Sequence, residues 1–104
     1  ALQIAGGVTT SRDMGNDNDQ LAVLMTDIAA GRAVGPHIEP AGFIEGESPF
    51  SARGGFVVAS IAEAEHAVDW YAQRGFRQVK LYNSIKPEWA QPIASYAHQR
   101  GLRV

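Results

Sequence analysis

Short runs of β-type residues alternate along this chain with longer stretches of helical periodicity. The first run, Val8 to Asp13, starts with β-branched residues and breaks at Gly15. Apolar residues then recur at the spacing of one helix face, at Leu21, Leu24, Met25 and Ile28, before Gly31. Alternation of this kind is the signature of βαβ units, whose strands form a parallel sheet. It predicts an α/β fold.

The middle of the chain continues the alternation less regularly. Ile38 to Ile44 looks extended and is interpreted as one strand, although Pro40 cannot donate a hydrogen bond to a sheet. Glu45 to Gly55 has no period and several glycines, which predicts a long loop. Ser60, with a glutamate three residues later, has the spacing of a capping box and predicts the start of a second helix.

The last third of the chain predicts a strand, a helix and the start of another strand. The strand runs from Gln78 to Tyr82, and Pro87 opens the helix. Pro92 is expected in the first turn, so the helix is expected either to start late or to begin with a tighter turn. The order β-α-β-loop-α-β-α-β with right-handed crossovers leaves two architectures, a doubly wound sheet or part of a barrel.

Composition narrows the class of partner. The 104 residues suffice for one small domain, and 45% hydrophobic with 19% charged residues is ordinary for a globular protein. The net charge is -2 and there is no block of Lys or Arg, so the sequence shows no basic patch that would bind nucleic acid or an anionic membrane. The absence of cysteine excludes disulfides and thiolate sites, and leaves the compartment open. Small molecules are the expected partners.

Lys80 is the residue with the most chemical interest. Alternation in the strand sends Val79 and Leu81 to one face, and Lys80 with Tyr82 to the other. One interpretation is a lysine whose stem is buried while its ammonium reaches water. The other is a partly buried amine that acts as a base, forms a Schiff base, or reacts with carbon dioxide to give a carbamate ligand.

Other polar residues offer weaker signals. Asp13 ends the first strand, on the catalytic side of a barrel, or caps the following helix. His37 and Glu39 share a strand face and are either a metal pair or surface residues. The charged loop residues Glu45, Glu47 and Arg53 could address a polar substrate. The two remaining histidines, His66 and His98, fall on helices and receive no role.

Three segments resemble one known family. Gly7 to Gly15 reads GVTTSRDMG, which resembles the second-strand motif of the amidohydrolase superfamily in its imidazolonepropionase-like and Xaa-Pro-dipeptidase-like branch. Gly75 to Tyr82 is similar to the fourth strand of that branch, and Ala97 to Val104 to the following helix and fifth strand. The resemblance implies a single partial domain over residues 1–104, a fragment that covers strands two to five, about half of a (β/α)8 barrel.

The resemblance also implies a chemistry. Such enzymes hold one or two divalent ions, zinc most commonly, and hydrolyse amides or cyclic amides with a metal-activated hydroxide. It places Lys80 at the position of a carbamylated metal ligand on strand four. Asp13, Tyr82 and Arg53 are expected on the active-site face from their places at strand ends and in a loop. The other ligands of the family have no counterpart in this chain, so no complete catalytic set is expected, and the isolated chain is expected to be inactive and without metal.

One departure and one alternative remain. Dipeptidase-like members often carry Gly-Gly-His after strand three, where this chain has Gly42-Phe43-Ile44-Glu45-Gly46, which leaves dipeptide specificity open. The alternative is a small flavodoxin-like α/β module that binds a ligand or itself without catalysis. A phosphate-binding module should show a glycine-rich loop that opens a helix, and the sequence has none.

A half-barrel would have surfaces that need to be covered, which predicts an oligomeric state. Four parallel strands cut from a barrel leave two open edges and an apolar barrel-facing side that needs cover. Trp70 falls on the helix face opposite Val68 and is expected to be exposed or to contact a neighbouring helix. We therefore expect a homo-oligomer, most simply a twofold dimer in which two halves complete a barrel. The alternative is that these residues belong to a longer chain whose remaining strands provide the cover.

Overall fold

The computed structural model describes residues 1–104 and has an α/β fold, as predicted. Every strand pair in it is parallel. No helix is long and apolar enough to cross a bilayer. The elements, in chain order, are α1 (Leu2–Ala5), β1 (Thr10–Asp13), α2 (Asn18–Ala29), β2 (His37–Pro40), β3 (Gly42–Gly46), β4 (Phe56–Val58), α3 (Ile61–Gln73), β5 (Val79–Leu81) and α4 (Pro87–Gln99).

The strands form two short sheets that share one continuous segment. β1 pairs with β2, and β3 lies between β4 and β5. At the junction, the Ala41 N–H donates to the Asp13 carbonyl at 2.8 Å, and the Gly42 N–H donates to the Gln78 carbonyl at 2.9 Å. β2 and β3 therefore act as one long strand whose hydrogen-bonding neighbour changes at Ala41.

The single strand predicted for Ile38 to Ile44 is thus wrong in its boundaries. It extends from His37 to Gly46 and is divided at Ala41. Pro40 is the last residue of β2 and has no N–H to donate. The hydrogen bond to β1 at this point comes from the N–H of the next residue, Ala41. Gln78 also forms a parallel bridge with Arg103. The neighbours across the sheet are therefore β1, the β2–β3 strand, β5 and Arg103, in chain order.

β4 was not predicted. It pairs with the second half of the long strand, from the Ile44–Phe56 pair to the Gly46–Val58 pair. β4 pairs with the same edge of the long strand as β1, but nearer the carboxyl end of that strand. On this edge the Glu47 N–H donates to the Val58 carbonyl at 2.9 Å. The predicted loop consequently connects two parallel strands directly, without a helix between them.

Side chains cap the helices largely as the sequence indicates. The Ser60 hydroxyl accepts the Glu63 N–H at 3.2 Å, while the Glu63 carboxylate accepts the Ala59 N–H at 2.8 Å and not that of Ser60. α4 begins at Pro87, so the expectation of a late start is wrong. Pro92 lies inside this helix and is exposed, so its ring faces solvent.

The core lies between one face of the sheet and the helices α3 and α4. Tyr71 is fully buried at its centre, next to the rings of Phe56, Trp70 and Phe76. The buried core residues are Ile44, Val58, Ala64, Ala67, Val68, Tyr71, Val79, Ile93, Ala97 and Leu102. Trp70 is half-buried against this core, with Arg74 stacked on its ring, and is not the exposed indole that one interpretation expected.

No helix packs on the opposite face of the sheet, although Ala41, Phe43 and Glu45 on that face are buried. The Cα radius of gyration is 14.6 Å, compared with about 13 Å for a compact domain of this length. α2 lies on the α3 side of the sheet, where the Asn18 amide donates to the Tyr71 hydroxyl at 3.2 Å; Leu21 is buried there and Leu24 remains 42% exposed. This side was expected to be apolar, and it is instead mixed. Ala41, Phe43 and Tyr82 share it with the polar side chains of Arg12, Glu39, Gln78, Lys80 and Arg103.

Candidate functional site

Lys80 lies on the uncovered face of the sheet. Its neighbours Val79 and Leu81 pack into or against the core under the helices, in agreement with strand alternation. The Lys80 Nζ is 4.4 Å from the centroid of the Tyr82 ring and 5.5 Å from that of the Phe43 ring. It makes no hydrogen bond or ion pair, so two aromatic faces are its only close partners, and such faces attract a cation.

A cavity of about 190 Å³ adjoins this lysine. It opens near the carboxyl ends of the strands, which is where parallel α/β sheets place their ligands. Its floor is Phe43, and residues of the loop between β3 and β4 form one wall. The lining residues are Met14, Gly15, Phe43, Ala52, Gly54, Lys80 and Tyr82.

A buried carboxylate holds the loops around this cavity. Glu45 is 1% exposed. Its Oε1 accepts the backbone N–H groups of Gly46 at 3.0 Å and Ser84 at 2.7 Å, and its Oε2 accepts that of Ala52 at 3.3 Å. Three backbone donors satisfy the charge that burial would otherwise penalise. Glu45 therefore lies in β3 and not in the predicted loop, and its carboxylate holds the backbone of two loops.

Hydroxyl groups reinforce the same connection. The Ser48 and Ser84 hydroxyls are 2.9 Å apart, and the Ser51 hydroxyl donates to the Ser48 carbonyl at 3.0 Å. Phe50, between these serines, is 92% exposed at the tip of the loop. The loop thus has a fixed base and an exposed aromatic tip beside the cavity.

Asp13 and Arg53 are placed differently from Lys80 and Tyr82. Asp13 is paired with Pro40 in the sheet register and lies on the face opposite Arg12. Its carboxylate accepts the Gly15 N–H and the Asn16 side-chain amide, both at 3.0 Å. Arg53 is exposed, makes no hydrogen bond, and does not line the cavity. The structure brings together only Lys80 and Tyr82 among these four.

The proposed metal pair of His37 and Glu39 lies at the other end of the sheet. The His37 Nε2 is 2.9 Å from the Glu39 Oε1, and both side chains are exposed. The hydrogen bond from His37 holds the pKa of Glu39 below its ordinary value, with smaller help from Arg77. His66 and His98 are exposed on helices.

The residues present do not fit a metal centre by themselves. No group of three or more His, Cys, Asp or Glu side chains is placed to hold an ion. Structural and catalytic zinc sites use at least three protein ligands. A carbamate at Lys80 would supply one ligand, and the others would have to come from outside these residues.

Comparison with known proteins places the fold. No protein family and no curated protein matches the sequence. Among solved structures, bottromycin amidohydrolase superimposes on 96% of this chain with a TM-score of 0.78 and 20% identity. A candidate prolidase from Bifidobacterium longum superimposes on 92% of it with a TM-score of 0.68 and 25% identity.

These two structures confirm, at the level of the fold, the resemblance to the amidohydrolase superfamily that the sequence motifs indicate. The chain spans 22% of the first structure and 26% of the second, about a quarter of each. The shared fold is therefore that of a segment of these enzymes and not of a whole catalytic domain.

Sequence reasoning did not identify Glu45 as the residue that organises the site. Its place in a glycine-rich segment suggested a solvated loop carboxylate. The only signal was its position directly after Gly42-Phe43-Ile44, where it continues an apolar strand. A carboxylate that continues a buried strand needs several donors, and here the backbone supplies them.

Proposed function

We propose that this chain forms strands two to five of a (β/α)8 barrel in a metal-dependent amidohydrolase. Three observations support the proposal: β1, the β2–β3 strand, β5 and Arg103 are neighbours in chain order with β4 as the one exception, all pairs are parallel, and the core lies between the helices and one face of the sheet. A barrel needs this arrangement, since its helices lie outside and its strand order is sequential. The superposition of 96% of the chain on bottromycin amidohydrolase is the observation that carries it.

The complete protein would hydrolyse the C–N bond of an amide or cyclic amide. Support for this class comes from the fold neighbours, one described as an amidohydrolase and the other as a candidate prolidase. The metal ions of such an enzyme would supply an activated hydroxide. The 104 residues alone are proposed to be inactive, because they lack a ligand set for those ions.

Lys80 is the proposed metal ligand of this segment. Its neutral amine would add to carbon dioxide, with loss of one proton, to give an anionic carbamate. Its position supports the role, because it lies on the uncovered face beside a cavity near the strand ends. Tyr82 lines the same cavity and is proposed to contact substrate. Asp13, at the carboxyl end of β1, and Arg53 remain proposals for contact with substrate, and neither lines the cavity.

The test uses the complete protein that contains these residues. Lys80→Met should reduce amide hydrolysis by at least about 100-fold and remove the carbamate signal that labelled bicarbonate gives in a carbon NMR spectrum. Lys86→Met is the matched control, since the Lys86 Nζ also lies over a ring, 4.6 Å from Trp89, but outside the cavity. Equal activity in both variants would refute the role of Lys80.

A further inference from the structure

A cleft of about 640 Å³ lies between α2 and the end of α3, on the helix side of the sheet. α2 and the end of α3 form its walls and β2 forms its floor, so it does not depend on the strands that would close a barrel. This side of the sheet would be the outside of the proposed barrel. Neighbouring helices normally pack with their axes about 8–10 Å apart, which leaves no space of this size between them.

The two helices are linked by hydrogen bonds between only one pair of side chains. The Asn18 amide donates to the Tyr71 hydroxyl at 3.2 Å, and no other side chain of α2 reaches α3 in this way. Ala22 and Thr26, further along the α2 wall, are exposed. The α2 wall runs from Asn18 to Thr26, a length of roughly 12 Å. The cleft is therefore an open groove and not a packed helix interface.

Much of the lining is apolar. Leu21 is buried, and Met25, Ile38, Trp70 and Phe76 are half-buried. Sites that bind small molecules have volumes of about 300–1,000 Å³ and are lined mainly by apolar and aromatic side chains, with a few polar groups. The cleft therefore has the size and the lining to hold the apolar body of a small molecule.

One cation that lines the cleft lacks a carboxylate partner. The Arg74 guanidinium lies 3.7 Å from the centroid of the Trp70 ring and donates to the Trp70 carbonyl at 3.3 Å, but it forms no ion pair. The other charges of the lining have partners. Arg77 interacts electrostatically with Glu39, and Asp19 lies in the first turn of α2, where the helix dipole favours a carboxylate.

We infer that this cleft binds a small carboxylic acid with an elongated apolar body. The body lies against Met25 and Trp70, and the carboxylate accepts the remaining N–H donors of Arg74. A guanidinium presents these donors in a planar fork that matches a carboxylate, and stacking on the Trp70 ring holds the plane of the fork. The inference concerns the outer side of the sheet and does not depend on the proposed hydrolase role.

The probe is octanoate, and its binding to the complete protein that contains these residues is measured by isothermal titration calorimetry. 1-Octanol has the same apolar body without the charge and is the comparison ligand. Arg74→Gln should weaken octanoate binding at least about 10-fold and leave 1-octanol binding almost unchanged. Arg32→Gln is the matched control, because Arg32 is also exposed but lies outside the cleft, and it should leave the binding of both ligands unchanged.

A second pair of variants tests the cleft without changing its charge. Ala22→Phe places a ring in the cleft from its exposed wall and should weaken the binding of both ligands at least about 10-fold. Val23→Phe adds the same ring at the next residue, which is exposed and does not line the cleft, and should have little effect. Lys80→Met should also leave octanoate binding unchanged, which separates this site from the proposed metal site.

Several results would overturn the inference. They are the absence of saturable octanoate binding to the wild type, equal weakening by Arg74→Gln and Arg32→Gln, and binding that Ala22→Phe leaves intact. Loss of octanoate binding in Lys80→Met would place the ligand at the proposed metal site instead. A crystal structure of the complete protein in which another segment of the chain fills the cleft would make that segment the occupant. Unchanged circular dichroism of each variant ensures that lost binding is not lost folding.

Discussion

The carboxylate of Glu45 accepts the backbone N–H of Ser84 at 2.7 Å, across 39 positions of sequence. The same side chain holds Ala52 of the loop between β3 and β4. Two loops that surround the Lys80 cavity are thereby fixed by one buried charge. Gly46 permits this approach, because a Cβ at that position would collide with the Ser84 backbone.

Removing the Glu45 carboxylate should destabilise the chain strongly. Glu45→Ala leaves three backbone N–H groups without acceptors and should lower the free energy of unfolding by about 3–5 kcal/mol. Glu45→Gln keeps one acceptor oxygen but turns an amide group toward a backbone donor, and should cost about 1–3 kcal/mol. Urea unfolding followed by circular dichroism measures both.

Glu47→Gln is the control for this experiment, because Glu47 is exposed and its carboxylate has no partner. Its effect should stay within about 0.5 kcal/mol. If Glu45→Gln were as neutral as Glu47→Gln, the carboxylate would not hold the loops.

Gly42 should not tolerate a side chain. A Cβ at Gly42 would overlap the ring of Tyr71, which is fully buried and whose hydroxyl donates to the Phe43 carbonyl at 2.9 Å. Gly42→Ala should therefore cost about 1–3 kcal/mol, because the ring cannot move without breaking that bond. Gly6→Ala, where the nearest atom is 3.5 Å away, should be nearly neutral in the same unfolding measurement. Equal stability of the two variants would contradict the packing described.

The ionisation of Asp69 should make the stability of the fold decrease at acidic pH. The Arg100 Nε donates to its Oδ1 at 2.7 Å, and the Tyr96 hydroxyl donates to its Oδ2 at 2.9 Å. The hydrogen bond from Arg100, followed by that from Tyr96, holds the pKa of Asp69 below its ordinary value of 3.8. Because the folded pKa is depressed, this stabilisation is complete above the ordinary value and is lost as the pH falls through the folded one.

The comparison of wild type with Asp69→Asn measures this effect. The wild type should have the higher Tm at neutral pH, and the difference should disappear in strong acid, below the folded pKa. Tyr96→Phe removes one of the two hydrogen bonds and should give a smaller difference. A Tm difference that stays constant from neutral to acid pH would show that Asp69 contributes no ionisation-linked stability.

The isolated chain should bind no catalytic metal. With zinc or manganese added, equilibrium dialysis should show no stoichiometric ion, and panels of dipeptides and acyl amino acids should not be hydrolysed, because the residues present lack a ligand set. Stoichiometric metal together with turnover would contradict the account of the chain as one part of a larger site.

The sequence predicted most elements because their signals are local. Each of these signals depends on residues that are close in sequence, within about two helical turns or one strand. They are the helical spacing, the cap at Ser60 and the alternation around Lys80. β4 was missed because Phe56–Val58 is short and its pairing depends on a distant partner, β3. The division at Ala41 was missed for the same reason, since it reflects which neighbour each half of the strand meets.

The site was less predictable than the fold. Alternation predicted that Lys80 and Tyr82 share a face, but the separation of Asp13 from them depends on strand register, which local sequence does not determine. The polar residues on the uncovered face could have been noticed, because Arg12, Glu39, Gln78 and Arg103 all fall in β-type segments. Their shared orientation appears only once the strands are aligned.

The most direct test of the central claim is a crystal structure of the complete protein that contains these residues. β1, the β2–β3 strand, β5 and the strand at Arg103 should be four successive strands of a closed barrel. The Lys80 side chain should point inside and, as its carbamate, lie within about 2.2 Å of a bound metal ion. An open sheet, or a barrel in which Lys80 lies outside the metal centre, would contradict it.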